Sequence, residues 1–303
     1  MTASKRRQPG ADFAWFRSAG RDLWHPGPLG IWARGEWHSL EPLLGERAFD
    51  AIPLLADGSL SLAGLEALSQ ELGTATRLDG EPSFGLPLPQ PRKILCIAKN
   101  YEAHAKELGS KAPKEPKCFA KLCEALAPDG AVVERPTGAG RVDYEGELCL
   151  VIAKRGKHLS EAAAASVIGG ATLMNDVTAR EMQKRDREQG YPWLRSKSFD
   201  GFAPCGPWVQ PFASLFPGGE IPADATPDLA LQTRVNGVLR QDSRTGLMLH
   251  SVARLISYLS QHTTLMPGDL IATGTPEGVG PLQSGDEVEV HIEGLGCLRH
   301  GVR

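Results

Sequence analysis

Val142-Asp143-Tyr144-Glu145-Gly146-Glu147-Leu148-Cys149-Leu150-Val151-Ile152 sets two carboxylates immediately ahead of a continuous apolar run. Residues 147–153 read as a strand, and an extended chain would point Glu145 and Glu147 to one face. Carboxylates so placed repel each other unless something positive lies between them. Taken alone, the pair fits a solvated strand face, since acids are rarely fully buried. Asp176 changes that balance. It lies in Thr172-Leu173-Met174-Asn175-Asp176-Val177-Thr178-Ala179-Arg180, a stretch otherwise suited to burial. An acid there needs a partner. Three carboxylates with no cysteine or histidine companion suit a hard cation that retains waters, hence Mg²⁺ or Mn²⁺.

Working outward, His104 and Glu107 stand three residues apart in a segment, 102–108, expected to be a short helix stopped by Gly109. A glutamate beside an imidazole fixes its tautomer and raises its basicity, as a general base requires. The same spacing also suits a surface His–Glu pair. Arg180 and Gln183 are one helical turn apart, four and seven residues beyond Asp176, so one helix face would carry all three. Lys197 follows in Trp193-Leu194-Arg195-Ser196-Lys197-Ser198-Phe199-Asp200. This cationic and amide group would either bind a carboxylate and steady an oxyanion or neutralise nearby acids structurally. Thr273-Gly274-Thr275-Pro276, with Gly278 and Gly280, lacks the Lys-Ser/Thr ending of a phosphate loop. It reads as a small-ligand loop or simply a tight turn.

The remaining pattern frames these residues. Residues 30–37 read as two short strands about Arg34-Gly35, and Ser61 caps a helix over 61–68. Four prolines in residues 82–91 make an extended connector, and a domain boundary is placed there: residues 1–90 form a small α/β domain and 91–303 the catalytic one. A strand is expected over 93–98. Ser160 caps an alanine-rich helix over 161–168, expected to end at Gly169-Gly170. Residues 229–235 alternate into Asn236-Gly237, a hairpin signal. Residues 247–259 have helical periodicity, and strands are expected over 270–273 and 288–292. Strands outnumber helices without regular alternation, which favours an α+β, sheet-rich fold.

With 303 residues, 41% hydrophobic and 23% charged, the chain has the composition of a globular protein with a substantial core. A net charge of −3, evenly spread, argues against nucleic acid or an anionic membrane as partner. The basic run Lys5-Arg6-Arg7 reads as a solubilising tail. Six cysteines, at 96, 118, 123, 149, 205 and 297, form no CxxC pair and are expected to be free thiols in the core. No apolar stretch suits a signal peptide or a membrane span, so a cytoplasmic location is expected.

Together these segments resemble the fumarylacetoacetate hydrolase superfamily over residues 92–303. The resemblance is carried by Asn100-Tyr101 with His104 and Glu107, by residues 143–148, and by Asn175-Asp176 with Arg180 and Gln183. It continues through Lys197-Ser198-Phe199-Asp200, Pro204 with Gly206-Pro207, Val235-Asn236-Gly237, and Pro267-Gly268-Asp269 leading into residues 273–276. It implies a mixed β-roll, a homodimer, and Mg²⁺ or Mn²⁺ on Glu145, Glu147 and Asp176. His104 and Glu107 would activate water from a mobile lid. Lys197 would be catalytic, Arg180 and Gln183 would contact substrate, and Thr275 its carboxylate. The implied reactions are carbon–carbon hydrolysis of acylpyruvates or fumarylpyruvate, isomerisation of the 2-hydroxyhepta-2,4-diene-1,7-dioate type, and decarboxylation of oxaloacetate. The fumarylacetoacetases proper add an aspartate ligand before the histidine. Residues 94–99 hold no acid, which favours the shorter acylpyruvase-like group.

Overall fold

The computed structural model describes residues 12–20 and 25–303; the basic run Lys5-Arg6-Arg7 lies outside them. The apolar run that follows Glu147 forms the strand Gly146–Ile152, and its alternating side chains explain why it is apolar throughout. Leu148, Leu150 and Ile152 pack with Leu231, Val290, Ile292 and Leu298 of a second sheet. On the other face, Cys149 and Val151 join Cys96, Met174 and Ala272 and the N-terminal Leu54, Leu55 and Leu65. A strand covered on both faces carries no polar alternation.

This strand lies inside a large mixed sheet. The order from the N-terminal edge is Glu36–Ser39, Leu29–Ala33, Ala14–Arg17, Ala203–Pro211, Ile168–Asn175, Gly146–Ile152, Leu270–Ala272, Ile94–Ala98 and Lys117–Lys121. Leu270–Ala272 runs parallel to Ile94–Ala98, and the other neighbours along this path are antiparallel. The second sheet contains the hairpin Ala230–Val235 and Val238–Arg244, then Glu287–Ile292 and Gly296–Val302. Its turn, Asn236-Gly237, takes positive φ at both residues, as the sequence requires. The helix Val252–His262 packs beside this layer through Leu255, Ile256 and Leu259. The expected α+β, sheet-rich architecture is thus observed.

Three expectations about these elements need correction. The helix beginning at Glu161 gives way to a 3₁₀ turn at Ala165 and ends before Ile168, and Gly169 and Gly170 lie in the strand Ile168–Asn175 rather than at a helix end. A Cβ on Gly170 would lie 2.5 Å from Val209 Cγ1 and 2.6 Å from the Gln210 carbonyl. These glycines permit close approach between strands instead of a turn. Nor are all the cysteines core residues. Cys118 is exposed because it sits on the edge strand, and Cys123 and Cys297 are half-buried. The helix expected from residue 247 starts at Val252, after Ser251, whose hydroxyl accepts from the Arg254 amide.

The first 90 residues join the large sheet directly, with Trp15 opposite Val209 and Phe16 opposite Trp208. Phe16, Trp32, Trp37, Phe84 and Trp208 form one aromatic cluster across that junction. Phe84 belongs to the proline-rich connector, which is therefore pinned by its apolar residues. Truncating Trp208 to alanine should cost about 3–5 kcal/mol, read as a lowered urea midpoint at constant slope.

A polar strut ties the sheets together near the chain end. His300 is buried, its Nδ1 donating to the Gly301 carbonyl at 3.1 Å and its Nε2 accepting from Asn175 Nδ2 at 2.7 Å. Burial pushes this imidazole down from 6.5 to about 4, against the opposing pull of the Gly301 carbonyl. Between those values the unfolded chain binds the extra proton, so stability is full above pH 6.5 and falls as pH drops towards 4. His300→Gln keeps an acceptor and removes the titration. Its stability should fall less than that of the parent between pH 7 and 4.5, by about 2–3 kcal/mol, in urea titrations at the two pH values.

Candidate metal centre

The strut ends on the first of the three acids. Asn175 Oδ1 accepts from the Glu145 amide at 2.7 Å, and the Asp176 amide donates to the Glu145 carbonyl at 2.8 Å. Adjacent strands thereby deliver Glu145 and Asp176 to one point. Between Glu145 and Glu147, Gly146 is hemmed in, since a Cβ there would lie 2.3 Å from Thr233 Oγ1. Its amide donates to Gln241 Oε1 at 3.0 Å. One oxygen atom from each of Glu145, Glu147 and Asp176 lies within 4.8 Å of the other two, and all three residues are buried.

Cations surround this cluster unevenly. Lys197 Nζ bridges Glu145 and Asp176, at 2.8 Å from Glu145 Oε2. Lys121 Nζ donates to Asp176 Oδ1 at 2.6 Å and to the Val177 carbonyl at 3.1 Å. Arg180 donates to Glu145 Oε1, to Asp143 Oδ2 at 2.8 Å and to Gln183 Oε1 at 2.8 Å. Glu147 is treated differently. Gly274 donates its amide to Glu147 Oε2 at 2.8 Å, but among the described residues no cation pairs with it.

The proton affinities follow. Burial pushes the Glu147 carboxyl well above the usual range, and Asp176 and Glu145 push it further. Burial would also raise Glu145, but Lys197 and Arg180 outweigh it and hold that carboxylate below its ordinary range. Burial opposes the charge of Lys197, yet Asp176 and Glu145 hold its ammonium above the usual lysine value. For Lys121, burial wins over the pull of Asp176, with Lys197 adding to it, and the value falls. Glu147 is thus a carboxylate that needs one more cation to stay charged. With Asp176 and Glu145 beside it, the donor set is all carboxylate oxygen, the chemistry of Mg²⁺ or Mn²⁺ rather than of a soft metal.

A cavity of about 440 Å³ opens above the triad. His104, Arg180, Gln183, Lys197 and Thr275 all line it, so these sequence candidates converge on one space. His104 sits on the helix Glu102–Glu107 with Nδ1 3.1 Å from Glu107 Oε2, and Glu107 Oε1 accepts from the Gly278 amide at 3.0 Å. Arg180 and Gln183 share a face of the helix Arg180–Glu188, as their spacing implies. Asp176 is not on that helix; it immediately follows the strand Ile168–Asn175, two residues before Thr178–Ala179. Thr275 has its hydroxyl proton committed to the Gly146 carbonyl at 2.9 Å and accepts from Gln241 Nε2 at 2.8 Å.

Lys121 was not singled out by sequence reasoning, and Asp143 and Asn175 entered only as parts of the motifs that carry the resemblance, with no role assigned to them. Lys121 closes a short strand whose side chains alternate, which would have placed a charge on its inner face. Asp143 holds Arg180 from behind and is itself held by Arg141 Nε at 2.6 Å. Its role depends on tertiary contacts and has no local signal.

Residues 93–303 match the family model described as fumarylacetoacetate (FAA) hydrolase C-terminal. The mitochondrial oxaloacetate tautomerase of Mus musculus is 38% identical over 215 residues, spanning 70% of this chain and 92% of that protein. Fumarylpyruvate hydrolase of Pseudomonas aeruginosa, solved with Mn²⁺ and pyruvate, is 35% identical with a TM-score of 0.65, covering 74% of this chain and 93% of that one. The 2-hydroxyhepta-2,4-diene-1,7-dioate isomerase of Mycobacterium marinum is 30% identical with a TM-score of 0.67, covering 96% and 98%. A buried carboxylate triad, a His–Glu pair above it and this match together establish that the chain belongs to the fumarylacetoacetate hydrolase family.

Proposed function

We propose that the protein is a metal-dependent hydrolase that cleaves a carbon–carbon bond in a 2,4-dioxo acid. The observation that carries this reading is the His104–Glu107 pair, aligned at 3.1 Å and lining the same cavity as the triad. Glu145, Glu147 and Asp176 would hold Mg²⁺ or Mn²⁺. Such a cation would supply Lewis-acid polarisation of a bound 2-oxo acid.

The chain's own groups supply the rest. With its Nδ1 proton given to Glu107, His104 keeps Nε2 free to accept a proton from water. That water adds to the C4 carbonyl, and the developing oxyanion is met by donors. Gln183 spends its carbonyl oxygen on Arg180, which leaves its amide N–H groups for the substrate. Lys197 adds a fixed positive charge at the cavity wall. The C3–C4 bond then breaks, its electron pair stays with the three-carbon fragment, and the proton held by His104 returns to C3. The products are a carboxylic acid and pyruvate.

A second reading is favoured by the mouse relative, whose name specifies tautomerisation of oxaloacetate. Moving a proton on a bound 2-oxo acid needs the triad and one base, and no attacking water. Isomerisation of the 2-hydroxyhepta-2,4-diene-1,7-dioate type and decarboxylation of oxaloacetate draw on the same groups. A non-catalytic binding role is disfavoured, because all three acids and the cationic cluster of Arg180 and Lys197 are present. The free thiols support a reducing compartment, the cytoplasm, and no helix among the described residues is long and apolar enough to cross a membrane. The family resemblance supports a homodimer.

His104→Ala should lower hydrolysis of acylpyruvates by about 10²–10⁴-fold while leaving the Mn²⁺ affinity unchanged. Equal pyruvate release by mutant and parent would overturn the assigned base. Asp176→Ala should abolish both metal binding, read by calorimetric titration, and activity; unchanged affinity would refute the ligand set. Turnover of oxaloacetate alone across a panel with fumarylpyruvate and acylpyruvates would transfer the assignment to the second reading.

A further inference from the structure

The cavity changes character from floor to mouth. Its floor is the buried triad, its wall includes the apolar side chains of Leu108, Phe119 and Trp193, and its mouth carries the exposed Lys184 and Arg187 and the half-buried Lys99. Around the whole cavity stand six lysine and arginine side chains against four acids, before any metal is counted.

Most of those cations are already spent. Arg180 and Lys197 neutralise the triad and Asp143, Arg141 pairs with Asp143, and Lys184 lies 4.0 Å from Glu188. Lys99 and Arg187 differ. Among the described residues neither side chain has a hydrogen-bonding or ion-pairing partner, and both face the same space. Partial burial depresses the proton affinity of Lys99, and Lys117, Arg187 and Arg180 depress it further. Two unpaired cations that repel each other at a cavity mouth are stabilised by an anion between them.

Lys99 also holds a backbone conformation that lysine rarely adopts, with φ of +57°. The next residue explains how it is held there. Asn100 is buried, donating Nδ2 to the Thr273 carbonyl at 2.9 Å and accepting at Oδ1 from the His250 amide at 2.9 Å. Glycine or asparagine would take that φ at lower cost. A strained, anchored lysine at a cavity mouth is the pattern of a residue placed for a ligand.

We propose that Lys99 and Arg187 form a distal anion subsite, which makes the preferred substrate a 2,4-dioxo acid whose acyl arm ends in a second carboxylate rather than in an uncharged chain. This rests on the reading that the 2-oxo acid head binds over the triad. The metal-centred floor takes one carboxylate, the apolar wall accommodates the carbon chain, and the mouth takes the other carboxylate. Specificity then comes from charge at the far end of the substrate, away from the bond that breaks.

Two unreactive probes isolate the subsite from catalysis. 2-Oxohexanedioate and 2-oxohexanoate share a chain length and a 2-oxo acid head, differ only in the distal carboxylate, and lack the 4-oxo group that hydrolysis needs. In calorimetric titrations of the Mn²⁺-loaded protein, the dicarboxylate should bind about ten-fold tighter or more. Lys99→Met with Arg187→Met should bring the two affinities together by weakening the dicarboxylate alone, and raised salt should narrow the gap in the parent. Equal affinities in the parent, or equal weakening of both probes in the double variant, would overturn the subsite and leave the head-group reading intact. Binding of neither probe to Mn²⁺-loaded protein would overturn the head-group reading, and the subsite with it.

Discussion

Everything at this site depends on keeping acidic oxygens charged inside a protein. Asp143, Glu145, Glu147 and Asp176 are all buried to within a few per cent of complete exclusion from water. Moving one carboxylate out of water without a partner costs several kcal/mol or forces it to take a proton. Lys121, Lys197 and Arg180 are the buried or nearly buried compensation, with Arg141 reaching Asp143 from the surface. Glu147 is the exception, with a backbone amide and, among the described residues, no cation of its own. The chain thus solves most of the electrostatic problem and leaves an uncompensated remainder at the acid best placed to share a divalent ion with its neighbours.

That arrangement constrains the fold more than hydrophobic patterning does. Glu145 sits at the break between Val142–Tyr144 and Gly146–Ile152, where one acid can turn towards the cavity without interrupting the core beneath it. Asp176 must arrive at the same point from just beyond the neighbouring strand, and the backbone hydrogen bond from its amide to the Glu145 carbonyl sets that register. A slip of one residue would turn each acid to the opposite face, into the layer packed by Leu148 and Leu150. Asn175 and His300 guard that register from behind with neutral hydrogen bonds, which add no charge to an already crowded region.

Much of this was legible in the sequence, for identifiable reasons. The strand after Glu147, the hairpin at Asn236-Gly237 and the Ser61 cap follow from local rules that tertiary contacts did not override. The triad was legible because acids inside apolar stretches are conspicuous. The end of the helix after Ser160 was misread because glycine has two uses. It terminates helices, and it also lets strands approach closely; only the packing of Gly170 against Val209 distinguishes them. The strand Ala203–Pro211 contains three prolines, a composition that hides it from pattern reading. Lys121 and Asp143 acquire their roles from residues 55 and 37 positions away, distances over which sequence spacing carries no information.

The His104–Glu107 pair shows how the site joins chemistry to loop geometry. Glu107 has two oxygens and uses both, one on the imidazole and one on the Gly278 amide. The carbonyl of Gly278 is gripped from the other side by the Tyr144 hydroxyl at 2.9 Å. Gly278 cannot be another residue, since φ is +91° and a Cβ would lie 2.2 Å from the Arg240 carbonyl. Tyr144 is the residue immediately before Glu145. The strand that presents the first acid therefore also positions the peptide that holds Glu107 beside the imidazole. Glu107 thus ties the helix bearing His104 to the loop at Gly278 with one oxygen and orients the imidazole with the other. Docking of the helix at Gly278 and orientation of the imidazole therefore share one carboxylate.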